Sequence, residues 1–123
     1  MSDPLIVALD AMGGDKAPEA VVKGAAIARE RFPQIRYLLF GVESRLAPLL
    51  EKLPVLKACA TIRHTENYIT GDAKPSTALR QGRQSSMRLA LDAVAAGEAQ
   101  CMVSAGNTGA LMAMAKFALK TLP

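Results

Sequence analysis

The chain has 123 residues, 50% of them apolar and 21% charged, with a net charge of +4. This describes about one globular domain, and with scattered basic residues, few aromatics and no zinc-finger or RNP pattern it excludes a nucleic-acid binder. The apolar stretch near the C-terminus is too short to span a bilayer and contains Lys116, Asp3 and Pro4 precede only a short apolar run where a signal peptide would be, and Cys59 and Cys101 form no CxxC pair and read as reduced, buried residues.

Leu5–Leu9 (LIVAL) is a continuous apolar run, which predicts a strand buried on both faces of a parallel sheet. The turn DAMGGD follows, from Asp10 to Asp15. Pro18 suits a first helical position and Glu19 the first turn of a helix whose apolar face is Val21, Val22, Ala25 and Ala28. Pro33 stops it after Phe32. Ile35–Phe40 is the second strand. Ser44 is a candidate N-cap for a helix to about Leu53, with Pro48 inside it. A weaker third strand covers 60–64. From Thr65 to Gln84 no periodicity survives, and the stretch reads as a long basic loop. Ser85 and Ser86 offer N-caps to a helix through Ala96 lined by Met87, Ala90, Leu91 and Val94, ended by Gly97 at C′. The fourth strand, 99–104, leads through Gly106 and Asn107 to Thr108, a candidate cap for a helix from Gly109 to Leu119. Met12, Met87, Met102, Met112 and Met114 read as core filling.

Alternating strands and helices predict an α/β fold with a doubly wound parallel sheet. The turns after the first and fourth strands then share the carboxyl edge. If those strands are neighbours, the two turns flank the switch point where such sheets bind ligands.

The turn SAGNTG aims free backbone N–H groups and a positive helix end at whatever lies above it, which is a place for an anion or simply an ordinary strand-to-helix connection. Gly13 and Gly14 let backbone approach a ligand, and Asp10 and Asp15 either take part or only cap the turn and helix. Neither turn has the GxGxxG or GxxxxGK spacing, so the expected ligand is a small anion rather than a nucleotide. Arg80, Arg83 and Arg88 flank the Ser85–Ser86 helix start and could hold phosphate or form a solvated basic loop. His64 is the only histidine; it is a catalytic candidate or, as lone histidines usually are, structural, and no GxSxG elbow accompanies it.

Three blocks, LIVALDAMGGDKAP, KPSTALRQGRQSSM and CMVSAGNTGALMA, resemble the bacterial phosphate acyltransferase family of phospholipid synthesis, the PlsX family. The likeness covers nearly the whole chain. It implies that residues 1–123 form the N-terminal portion of a single α/β domain in a protein more than twice as long. The implied fold is Rossmann-like and similar to phosphotransacetylases and to isocitrate and isopropylmalate dehydrogenases. The implied reaction transfers a fatty acyl group from acyl–acyl carrier protein to inorganic phosphate, giving acyl phosphate. The resemblance further implies a homodimer, a cytoplasmic enzyme peripheral to the membrane, no metal or organic cofactor, and delivery of product to a membrane glycerol-phosphate acyltransferase.

Phosphate is already nucleophilic and a thiolate leaves readily, so such an enzyme mainly positions reactants and stabilises an oxyanion. Backbone N–H groups at Gly106 to Thr108 and the Asn107 side chain suit either task. The expected site is Asn107 and Asp10 for catalysis, with Gly13, Gly14, Asp15, Arg80, Arg83, Ser85, Ser86, Ser104, Gly106, Thr108 and Gly109 around the phosphate. A phosphotransacetylase-like or dehydrogenase-like domain, and a non-catalytic phosphate- or carrier-binding module, are the alternatives. The last helix carries Leu111, Met112, Met114, Phe117 and Leu119 around most of its surface. It should therefore be buried on most sides by a partner, by self-association or by further chain, and the 123-residue chain alone should not turn over.

Overall fold

The computed structural model describes residues 5–118, and the side chains of residues 5–115. A four-stranded, all-parallel sheet is formed by β1 (Ile6–Asp10), β2 (Arg36–Gly41), β3 (Ala60–His64) and β4 (Cys101–Val103), in the order β3-β2-β1-β4. The expected α/β parallel architecture is therefore present. Chain order reverses at β1, which places the switch point between β1 and β4.

Register explains the apolar runs. Leu9 lies between Leu39 of β2 and Val103 of β4, and Ala8 between Leu38 and Met102. Successive side chains alternate faces. Val7, Leu9, Tyr37 and Leu39 pack against α1 (Glu19–Arg31), α2 (Glu43–Glu51) and α3 (Pro54–Lys57). Ala8, Leu38 and Phe40 pack on the other face against Ala90 and Ala93 of α5 (Ser86–Ala95). With helices on both faces, neither central strand can alternate with polar residues. Among the described residues β3 has a single neighbour, and its residues are exposed or partly exposed, hence its weaker apolar signal.

Several local expectations change. The stretch 65–84 contains a helix, α4 (Pro75–Gln81), with Pro75 in its first turn; its short length and polar content hid the period. α2 starts at Glu43 with Val42 as N-cap, so Ser44 lies inside the helix. Leu53 caps the separate α3 instead of ending α2. α6 (Thr108–Ala118) begins one residue earlier than expected, because Asn107 and not Thr108 caps it. Ser85 does cap α5, accepting the Arg88 N–H at 3.2 Å, and Gly97 follows that helix with φ +82°, as a C′ glycine should.

α6 packs on α4 and α5 through Ala110 and Met114, both fully buried. Met112 is 70% exposed, which corrects its reading as core filling; Leu119 and the side chain of Phe117 lie outside the described residues. Cys59 and Cys101 are both free thiols, and Cys101 is exposed on β4 rather than buried.

Candidate functional site

The carboxylate of Asp10, at the end of β1, is 3% exposed and joins three separate elements. Its Oδ1 accepts the Ser86 hydroxyl at 2.5 Å and the Met12 backbone N–H at 3.2 Å. Its Oδ2 accepts the Ser104 hydroxyl at 2.8 Å, and Ser104 Oγ in turn accepts the Gly106 N–H at 3.1 Å. The first turn, the start of α5 and the end of β4 are thus fastened to one buried anion by three charge-assisted hydrogen bonds.

The two glycine turns lie against each other. A Cβ on Gly13 would stand 2.7 Å from Asp10 Oδ2, 2.8 Å from Ser104 Oγ and 3.0 Å from the Gly106 nitrogen. Gly14 has φ +97°, a backbone conformation that side chains disfavour. Both glycines of DAMGGD are therefore required, one for space and one for backbone angle.

Asn107 anchors the opposite wall. Its Oδ1 accepts the Ala110 N–H at 3.0 Å, capping α6. Its Nδ2 donates to the carbonyls of Ala73 at 2.7 Å, Thr70 at 3.2 Å and Gly71 at 3.4 Å. The carboxamide is thus engaged at both ends, and it folds the segment 70–73 down onto the start of α6. The other end of this segment is pinned as well. Thr65 Oγ1 donates to the Gln84 carbonyl at 2.6 Å, and Ser86 N–H donates to the Asn67 carbonyl at 2.9 Å.

Between these walls is a cavity of about 480 Å³, lined by Met12, Gly14 and Asp15 from the first turn, Tyr68–Gly71 from the pinned segment, and Ala105–Thr108. The Gly106 N–H is occupied by Ser104. The N–H groups of Asn107, Thr108 and Gly109 have no acceptor among the described residues. They are the unpaired first amides of α6, where the helix dipole is positive. The geometry suits a small anion. Asp15 is exposed at the same rim, and its carboxylate can accept a hydrogen from a protonated anion oxygen while disfavouring a fully ionised one.

The structure separates the expected residues into groups. Asp10, Gly13, Gly14, Asp15, Ser104, Gly106, Asn107 and Thr108 converge at the switch point. Ser86 joins them, but its hydroxyl is fully buried on Asp10. Ser85 is also fully buried, its hydroxyl donating to the Gly82 carbonyl at 2.6 Å, so neither serine presents a free hydroxyl to an anion. Gly109 turns its bare Cα to Pro75, where a Cβ would come within 2.8 Å of the proline ring. Arg80 and Arg83 are exposed and do not line this cavity, and Arg88 pairs with Asp92 at 3.0 Å. His64 Nδ1 accepts the Glu43 N–H at 3.0 Å, a structural role at the start of α2. Sequence reasoning missed Thr65, Asn67 and Tyr68–Gly71. Their only signal was the aperiodic stretch, and their partners lie up to 37 residues away.

Fold and site define a doubly wound α/β protein that presents unpaired backbone donors in its switch-point crevice. Residues 5–123 match the family described as "Fatty acid synthesis protein", and the chain belongs to that family. It is similar to proteins named phosphate acyltransferase. One from Rhodospirillum centenum is 68% identical and one from Rhodospirillum rubrum 58%, each over 100% of this chain and 35% of the relative. Another, from Granulibacter bethesdensis, is 57% identical over 98% of this chain and 33% of the relative. The chain spans about a third of the length of these curated relatives.

Proposed function

We propose that this chain supplies the phosphate-binding part of an acyltransferase that moves a fatty acyl group from acyl–acyl carrier protein to inorganic phosphate. The observation that carries the reading is the pair of unpaired N–H groups of Asn107 and Thr108, residues that line one small cavity together with Gly14 and Asp15 of the first turn. The names of the relatives support it, as does the lack of a nucleotide fingerprint in either turn.

In the proposed reaction a phosphate oxygen attacks the thioester carbonyl. The carbon–oxygen bond forms, the carbon–sulfur bond breaks, and the thiolate leaves and takes up a proton. The helix amides hold phosphate or the developing oxyanion, donating hydrogen bonds that strengthen as charge builds. Asn107 is a positioning residue: it fixes the amides and closes the 70–73 segment over them. Asp10 holds the two turns at their spacing. The net positive charge suits an acidic carrier protein. A homodimer, a peripheral membrane position and hand-over of the product to a membrane glycerol-phosphate acyltransferase complete the proposal. Among the described residues no helix is long and apolar enough to cross a membrane.

The test is transfer of labelled inorganic phosphate into a hydroxylamine-sensitive acyl phosphate, using the whole reading frame that contains these residues. Activity with coenzyme A thioesters but not carrier-protein thioesters would favour the phosphotransacetylase alternative. Phosphate binding without turnover would favour the non-catalytic one.

A further inference from the structure

A second cavity, about 670 Å³, runs between α1 and the sheet. Its floor includes Val7, Leu9 and Tyr37, and its roof is the α1 stripe of Ala20, Val21, Gly24, Ala25 and Ala28. These positions share one helix face, and four of the five are alanine or glycine. The strand residues beneath α1 are themselves buried, so the open part of the cleft lies beside the helix, along Ala20, Gly24 and the exposed Val103. Nothing lies within 4 Å of a Cβ built on Gly24. Well-packed interiors hold few voids larger than a water molecule, whereas this volume falls within the range of small-molecule sites.

The charge of the cleft is one-sided. Its charged lining residues, Asp10, Asp15 and Lys16, are all at the glycine-turn end. That end opens on the anion cavity, since Gly14, Asp15 and Ala105 line both. From Ala20 to Ala28 the roof extends about 12 Å along the helix axis. The shape is that of a site for an amphiphile: an apolar tail along α1, and a reactive head at the rim beside the free amides of α6.

We propose that this cleft holds the acyl chain of the substrate and that Gly24 limits the chain length it accepts. The proposal deepens the acyl-transfer reading and rests on it. A later protein segment packed over the exposed Val103 is the competing occupant. The rim shared with the anion cavity favours the acyl chain, because it places the carbonyl end of a bound tail next to the phosphate position.

The test uses the whole reading frame that contains these residues. Gly24→Leu puts a side chain into the cleft, and replacing an exposed helix glycine favours the helix, so the variant keeps its fold. With palmitoyl and octanoyl carrier-protein thioesters, kcat/KM for palmitoyl should fall about tenfold or more relative to octanoyl. The KM for inorganic phosphate should hold. Gly24→Ala should shift the preference in the same direction by less. A fluorescent fatty acid should bind the wild-type protein and be displaced by palmitate, with about tenfold weaker binding in Gly24→Leu. An equal loss for both donors, an unchanged preference, or a lowered melting temperature without a change in preference would overturn the proposal and favour a packed protein segment. Fatty-acid binding that depends on Gly24 in a protein without transferase activity would keep the cleft and reject the transfer reading. Turnover with no dependence on Gly24 would do the reverse.

Discussion

Gly13→Ala tests the close contact of the two turns. The added methyl would meet Asp10 Oδ2 at 2.7 Å, Ser104 Oγ at 2.8 Å and the Gly106 nitrogen at 3.0 Å, all inside the ordinary contact distance of about 3.5 Å. None of the three can yield cheaply. Asp10 is held by Ser86, Ser104 and the Met12 amide, Ser104 is held by Asp10 and Gly106, and the third atom is backbone. Relief requires spreading the turns or breaking the Asp10–Ser104 bond. Overpacking costs about 1–3 kcal/mol, and a hydrogen bond to a charged group is worth about 1.5–3 kcal/mol. The two costs overlap, so the expected destabilisation is about 2–4 kcal/mol. Urea unfolding followed by circular dichroism measures it, with Gly24→Ala as the paired control. That substitution meets open space and should stabilise by about 0.5–1 kcal/mol. Gly13→Ala within about 0.5 kcal/mol of wild type, at unchanged m-value, would refute the reasoning that this contact is rigid.

Asn107→Ala should cost about 1–2 kcal/mol through loss of the α6 cap, and hydrogen exchange should quicken in 70–73 and in the first turn of α6. It should also lower kcat by about 2–4 kcal/mol in barrier terms if the amides it fixes hold the oxyanion; unchanged exchange and turnover would remove it from both roles. Ser86→Ala should cost about 1.5–3 kcal/mol by taking a donor from the buried Asp10 carboxylate, and Asp10→Ala more, since it strands two hydroxyls; calorimetric melting of both variants measures this, and equal losses would argue against the shared hub. Burial pushes the Tyr37 hydroxyl above its ordinary pKa, with Cys59 adding to the shift and Arg29 opposing it. The neutral phenol is thus the form the fold accepts, and its contribution is present below about pH 10 and lost as pH rises through the raised value. That hydroxyl has no hydrogen-bond partner among the described residues, so Tyr37→Phe should stabilise by about 1 kcal/mol and lessen the alkaline loss; a lower melting temperature in the variant would show that the hydroxyl is satisfied after all.

The sequence alone determined the architecture, because the determining signals are local. An apolar run such as Ile6–Leu9 can be satisfied only inside a sheet covered on both faces, and Ser85 and Gly97 act within a few residues of themselves. It also located both glycine turns, since Gly14 answers to its own backbone angle. Only the tertiary structure decided what these turns do. The Asp10 hub links positions 76 and 94 residues apart, and no spacing rule foresees that Ser86 is locked on a carboxylate instead of facing an anion. The same holds for Asn107, whose carboxamide reads as a free donor until the carbonyls of 70–73 are folded beneath it. Arg80, on α4, and Arg83, in the turn after it, are near the site in sequence but are exposed and do not line the cavity. The cleft beside α1 was illegible for a related reason. Alanines and glycines on a helix face read as ordinary packing, and whether they enclose a partner or a space depends on how far the helix stands from the sheet, a distance set by every contact in the layer at once.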